Sequence, residues 1–191
     1  MNDEERLVRL GDVVITHKTP NTRRMVEAAR DFISRPRGIL TLWGTHGNAK
    51  TVVLQAIVNE CIQAGIPAVY VPFFHLDGWV REAFEEHDST GECGSAWVRY
   101  QKLCDVRVLA IDEFEKISET DWRNALRTNL IDCRHRGGLA GQCGTVIAMN
   151  RNPSELDSAI YSRMRDGRYT FGGHAPIIRN DDPDMRPLLK S

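Results

Sequence analysis

Short apolar runs separated by polar loops and helically spaced stretches set the rhythm of this chain. Residues 39–43, 67–72, 106–111 and 145–149 each have the length and composition of a buried strand. Between them the spacing predicts helices. Residues 20–34 put Met25, Val26, Ala29, Phe32 and Ile33 on one face, opened by Pro20-Asn21-Thr22 and closed by Arg35-Pro36-Arg37-Gly38. Residues 51–62 form a second helix, stopped at Ala64-Gly65. Residues 75–86 align Leu76, Trp79, Val80 and Phe84, and after a loop at 88–92 residues 95–103 read as another amphipathic helix. Residues 118–136 follow an N-cap at Ser118 or Thr120 and end in a glycine-rich connection at 137–141. A short helix is expected at 158–165 and short strands at 13–16 and 168–171. From Gly172 onward apolar residues are few and prolines frequent, so an irregular tail is expected.

Strands alternating with helices predict an α/β fold, a central parallel sheet covered on both faces with right-handed crossovers. Chemistry in such sheets collects at the carboxyl ends of the strands. The expected organisation is a lead-in at 1–19, a core at 20–172 and a tail at 173–191.

The first apolar run leads into Gly44-Thr45-His46-Gly47-Asn48-Ala49-Lys50-Thr51 and then directly into a helix. That is the setting of a phosphate-binding loop. Glycines let the backbone approach a phosphate, N–H groups and the helix N-terminus face the anion, the lysine reaches the β/γ-phosphates, and the hydroxyl ligates magnesium. A nucleoside triphosphate and Mg2+ are the ligands such a loop implies. Ala49 stands where the last glycine of the pattern usually sits, a small cost if it takes ordinary helical angles. The plainer alternative is a Gly/Asn turn before a helix with an exposed lysine.

A second apolar strand ends in Asp112-Glu113. At this distance after a phosphate loop, Asp112 is the candidate to hold magnesium, and Glu113 the candidate to polarise an attacking water. Alone, the pair reads equally as a strand ending in a polar turn. Asn150 closes the next strand and is placed to report on a γ-phosphate, or else simply caps the turn before Arg151-Asn152-Pro153. Beyond it, Arg163, Arg165 and Arg168 lie on and just after a short helix, where ring ATPases place an arginine into a neighbour's site; the alternative is a solvated face.

Composition narrows the classes. Net charge is −1, so nucleic-acid contact would need a local patch rather than a globally basic surface. Such a patch is offered by Arg81, Arg99 and Lys102 around Trp97 and Tyr100, although Trp97 and Tyr100 at that spacing also suit a core stripe. Arginine far outnumbers lysine, which favours phosphate and carboxylate forks. The five cysteines form no CxxC pair, which fits reduced thiols and a cytoplasmic location. Cys133 and His135 are too few for a metal site, and a structural role is expected. No run is long enough to span a membrane, and the first residues lack the apolar core of a signal peptide.

Together GTHGNAKT, VLAIDEF, VIAMN and AIYSRMRDGR resemble the AAA+ ATPases of the DnaC/DnaI helicase-loader type and the related IstB-type transposition ATPases, over about residues 20–172. The resemblance implies a three-layer P-loop NTPase that takes ATP and Mg2+ as cofactors and lacks a full C-terminal helical lid. Lys50 and Thr51 fall at Walker A, Asp112 and Glu113 at Walker B, Asn150 at sensor 1 and Arg163 at the arginine finger. It also implies a homo-oligomer with Arg163 acting in trans, contact with DNA through the helices of residues 75–103, and a replicative helicase or transposase as partner. Two other classes compete. A nucleotide-binding adaptor with little hydrolysis needs neither Glu113 nor Arg163. A small-molecule P-loop kinase needs an arginine-rich lid, and no such segment lies between the third and fourth strands.

Overall fold

The computed structural model describes residues 7–90, 95–115 and 120–184. Its strands are β1 (Gly38–Gly44), β2 (Ala68–Pro72), β3 (Val108–Asp112), β4 (Gly144–Met149) and β5 (Ile177–Asn180). Its α-helices are α1 (Pro20–Ser34), α2 (Lys50–Gln63), α3 (Phe73–Thr90), α4 (Ser95–Asp105), α5 (Asp121–Leu139) and α6 (Ser158–Met164). The five strands form one sheet in the order β2-β3-β4-β1-β5, every pair parallel. This is the expected three-layer α/β architecture, with helices on both faces of a central parallel sheet.

The two faces follow from strand periodicity. Leu40, Leu42, Val108, Ala110, Val146 and Ala148 pack into one core with α1 and α2. Their sequence neighbours Ile39, Leu109, Ile111, Ile147 and Met149 pack into another with α3 to α6. Strands buried on both sides read as unbroken apolar runs, which is why the sequence exposes them so plainly.

Several expectations change. The expected strand at 13–16 does not form; a 3-10 turn, Leu10–Asp12, precedes an irregular stretch instead. The expected strand at 168–171 is reduced to a single antiparallel bridge between Phe171 and His174. The last strand lies further on, in the segment expected to be irregular: β5 pairs with β1 from Thr41↔Ile177 to Gly44↔Asn180. Only two isoleucines mark it, and its pairing partner rather than its own pattern makes it a strand.

Helix α3 runs to Thr90, through the first part of the expected 88–92 loop, whose last two residues lie outside the described segments, as do 116–119 at the expected start of the next helix. Helix α5 is N-capped by Thr120 and continues through Gly137-Gly138 rather than breaking there. Close approach explains these glycines. A Cβ at Gly138 would lie 2.9 Å from the Gly38 backbone nitrogen, and one at Gly137 would lie 2.6 Å from Cys143 Sγ.

Candidate functional site

Strand order decides what meets at the carboxyl edge of the sheet. β4 lies between β3 and β1, so Asn150 sits between the Asp112-Glu113 end of β3 and the loop that follows β1. With strands about 4.8 Å apart, the ends of β1 and β3 stand roughly 10 Å from each other. A cavity of about 300 Å³ opens there, lined by residues 46–52, Asp112, Glu113, Met149, Asn150 and the stretch Asp12-Val13-Val14. No motif in the sequence points to that last wall. It comes from the lead-in, which folds back onto the loop after the Leu10–Asp12 turn.

The loop is tightly organised. Lys50 is 7% exposed, and its ammonium donates to the carbonyl oxygens of Gly44 (2.9 Å) and Thr45 (2.6 Å) and to Asn48 Oδ1 (2.9 Å). Thr51 and His46 are exposed toward the opening. Ala49 stands at the N-cap of α2 and carries no polar atom to cap it, and a helix N-terminus presents N–H groups that suit an anion. Ala49 does not take helical angles: its φ is 66° and ψ 9°. The expectation of a small cost is therefore corrected, since a left-handed conformation costs a non-glycine residue about 1–2 kcal/mol. Among the described residues only one other non-glycine has positive φ, Glu113 at 50°. Both line the cavity.

Across the cavity, Asp112 is buried. Its Oδ1 accepts from the Glu113 N–H at 2.8 Å and its Oδ2 from the Tyr70 hydroxyl at 2.9 Å. Burial, and then this hydrogen bond to Asp112, push the Tyr70 phenol above its ordinary pKa, so it stays a donor. Asn150 is held by Glu115, whose Oε1 accepts from its backbone N–H (2.8 Å) and from Nδ2 (2.9 Å). Neither Tyr70 nor Glu115 belongs to a sequence motif; a tyrosine on the neighbouring strand and a carboxylate two residues past Glu113 were the available signals.

Arg163 is not among the residues lining this cavity. Its guanidinium is fixed within its own chain, Nε and Nη2 donating to Asp132 Oδ1 (2.7 and 2.6 Å) and Nη1 to the Ala159 carbonyl (2.8 Å). Arg168 forks onto Asp166, and His135 bonds the same carboxylate at 2.8 Å.

Arg81, Arg99 and Lys102 lie on the α3/α4 pair. Arg81 stands over the Trp122 ring at 5.8 Å, and Arg99 over Trp79 at 5.6 Å while bonding the Trp79 carbonyl. Lys102 is exposed. Trp97 is 65% exposed and stacks on Tyr100 with centroids 5.9 Å apart, so Trp97 is not part of a core stripe. With Val80, Trp122 and Leu126 these two rings line a cleft of about 290 Å³.

Among the described residues, no group of three or more His, Cys, Asp or Glu side chains gathers as a metal site. No helix among them is long and apolar enough to cross a membrane.

The fold and this strand-edge cavity define an α/β protein with a central parallel sheet and a cleft at its carboxyl edge. No family model and no curated protein matches the chain. Solved structures do. The replication initiator DnaA bound to AMPPCP and single-stranded DNA superposes with a TM-score of 0.70 at 16% identity, over 94% of this chain and 51% of that one. A DnaI structure gives 0.63 at 19% identity, covering 91% and 90% of the two chains. The DnaC helicase loader gives 0.60 at 18%, covering 82% and 86%. The chain spans about half the length of that DnaA. At these identities the likeness is one of fold.

Proposed function

We propose that this chain binds and hydrolyses ATP with Mg2+ as an AAA+ protein acting on DNA, in the manner of a helicase loader or transposition helper. One observation carries the reading: the two left-handed non-glycine residues, Ala49 and Glu113, face the same cavity from opposite sides. Strain of this kind persists where surrounding structure over-determines it, characteristically at functional sites.

The residues present fit the ligands. The N-terminus of α2 and the Lys50 ammonium suit a polyphosphate, and the apolar Val13-Val14 wall suits the base. Magnesium takes one or two protein oxygens and completes its shell with phosphate and water, which a Thr51 hydroxyl and an Asp112 carboxylate can supply without a protein cage. When bound, Mg2+ would neutralise phosphate charge. Lys50 would exchange its loop carbonyls for phosphate oxygens. Glu113 would orient or deprotonate water, and the Asn150 amide, fixed by Glu115, would face the terminal phosphate. Exposed Trp97 and its stacked Tyr100, flanked by Arg81, Arg99 and Lys102, support single-stranded DNA as the partner on α3/α4, through stacking and charge. Assembly into a homo-oligomer would bring Arg163 toward a neighbour, with a replicative helicase or transposase as client.

The internal Arg163–Asp132 pair favours a second reading, a nucleotide-binding adaptor with little hydrolysis. ATP turnover measured across protein concentration, with and without single-stranded DNA, separates the two. Steep concentration dependence and a DNA response support the ATPase, whereas nucleotide binding with flat, negligible turnover supports the adaptor. Lys50→Ala should abolish binding in both cases, and wild-type affinity in that variant would remove the loop assignment.

A further inference from the structure

The phosphate loop is braced by Asn180 and Asp182, which are not among the described residues lining the cavity. Asn180, the last residue of β5, lies opposite Gly44 and is fully buried. Its Nδ2 donates to the Asn48 carbonyl at 3.0 Å and to Thr22 Oγ1 at 3.1 Å. In return Asn48 Nδ2 donates to the Asn180 carbonyl. Asn180 Oδ1 accepts from the Asp182 N–H at 2.8 Å, which fixes which way the amide points. The Asp182 carboxylate closes the far end, accepting from the Thr22 N–H (2.6 Å), its hydroxyl (2.8 Å) and the Asn21 side-chain amide (3.0 Å). It thereby caps α1, whose own N-cap Thr19 makes no side-chain cap. Just beyond, the Asp184 carboxylate presses on Gly47: a Cβ there would lie 2.1 Å from Oδ1.

We infer that Asn180 is a positioning residue for the phosphate loop, acting through Asn48 on Ala49 and Lys50, a role that rests on the nucleotide-binding reading above. The Asn48 carbonyl belongs to the peptide unit that joins Asn48 to Ala49, so a hydrogen bond that orients this peptide also restrains φ of Ala49. Asn180 thus supplies part of what holds an alanine at 66°. The same asparagine pair sets the Asn48 side chain, whose Oδ1 receives the Lys50 ammonium. An unbroken, buried hydrogen-bond chain runs from Asp182 through Thr22, Asn180 and Asn48 to Lys50. A network satisfied at each of these links specifies one arrangement and penalises others. Asn180 and Asp182 are therefore part of the nucleotide site, although neither is among the described residues that line the cavity.

A double-mutant cycle tests this. Binding of magnesium AMPPNP is measured by calorimetry for wild type, Ala49→Gly, Asn180→Ala and the double variant, beside melting curves of the nucleotide-free proteins. Asn180→Ala should weaken binding by about tenfold in the wild-type background and by less than about twofold in the Ala49→Gly background, where glycine holds the loop conformation without the restraint. A merely structural asparagine would lower the melting temperature yet leave affinity unchanged, or weaken it equally in both backgrounds; either result overturns the inference. Should Asn180→Ala fail to fold, Asn180→Ser and Asp182→Asn take its place in the same cycle, and the same two results overturn it. If wild type itself binds no AMPPNP, the nucleotide reading falls and this role falls with it. Wild-type binding with an additive cycle removes the positioning role alone.

Discussion

Tyr70, near the end of the edge strand β2, donates its hydroxyl at 2.9 Å to Oδ2 of Asp112, the last residue of β3. The register explains the reach: Pro72 lies opposite Asp112 and Tyr70 opposite Ala110, so the ring leans two residues along the strand toward the cavity. Hydrogen bonds to a charged acceptor are worth about 1.5–3 kcal/mol. Tyr70→Phe should therefore lower stability by about that amount in urea titrations. On the proposed role of Asp112 it should also raise the magnesium concentration needed for half-maximal turnover several-fold. Unchanged magnesium dependence at reduced stability would confine Tyr70 to a structural part.

Ala49 offers the converse experiment, a substitution expected to stabilise. Glycine reaches φ near 66° without the steric cost alanine carries, about 1–2 kcal/mol. Part of that gain is offset by the greater freedom of glycine in the unfolded chain. Ala49→Gly should leave a net stabilisation of about 0.5–1 kcal/mol, a rise of roughly 1–4 °C in melting temperature for a domain of this size. A fall in melting temperature would mean that Ala49 makes packing contacts worth more than its backbone strain.

What the sequence displays and what it hides divide along a physical line. Lys50, Asp112, Glu113 and Asn150 were legible because each ends or follows an apolar run buried on both faces, and local pattern alone places such residues at strand ends. Val13 and Val14 were not, because they become a cavity wall only when the lead-in folds back on the loop. β5 was hidden for a related reason: its hydrogen bonds come from β1, well over a hundred residues earlier. Arg134 shows the limit most clearly. In a helical pattern an arginine reads as solvated, yet this one is fully buried, donating to Thr145 Oγ1 at 2.9 Å and to the backbone carbonyls of Cys104 and Val106. Nothing within its own helix announces those acceptors.

The Asp166 cluster predicts a pH dependence. The Arg168 fork is the main cause holding the Asp166 carboxyl below the usual aspartate range; burial opposes it, and the His135 hydrogen bond adds to it. A depressed carboxyl stabilises the fold fully at pH values above its unfolded value, about 3.9, and the contribution is lost as pH falls below that. The gap in urea midpoint between wild type and Asp166→Asn should thus be fully present at about pH 5 and close on further acidification. A gap that persists unchanged at about pH 3 would show that the pairing energy does not depend on the carboxylate charge.

Arg163 and Asp132 give the sharpest test of the oligomer, because the arginine already has an acid to hold it. The pair is partly exposed and should be worth no more than about 1 kcal/mol to the isolated chain. Arg163→Ala and Asp132→Asn should therefore cost similar, small amounts of stability. Their effects on turnover should differ. If Arg163 leaves Asp132 to enter a neighbour's site, Asp132→Asn keeps the guanidinium and loosens it, so turnover per assembled subunit should hold or rise. Arg163→Ala should lower it by roughly 10³-fold or more, the scale on which arginine fingers act. Mixing Arg163→Ala with Glu113→Gln protein should restore part of the activity wherever one intact composite site forms in a mixed assembly. Equal losses in the two single variants, with no recovery on mixing in assemblies shown to contain both, would make Arg163 a brace between α6 and α5 and nothing more.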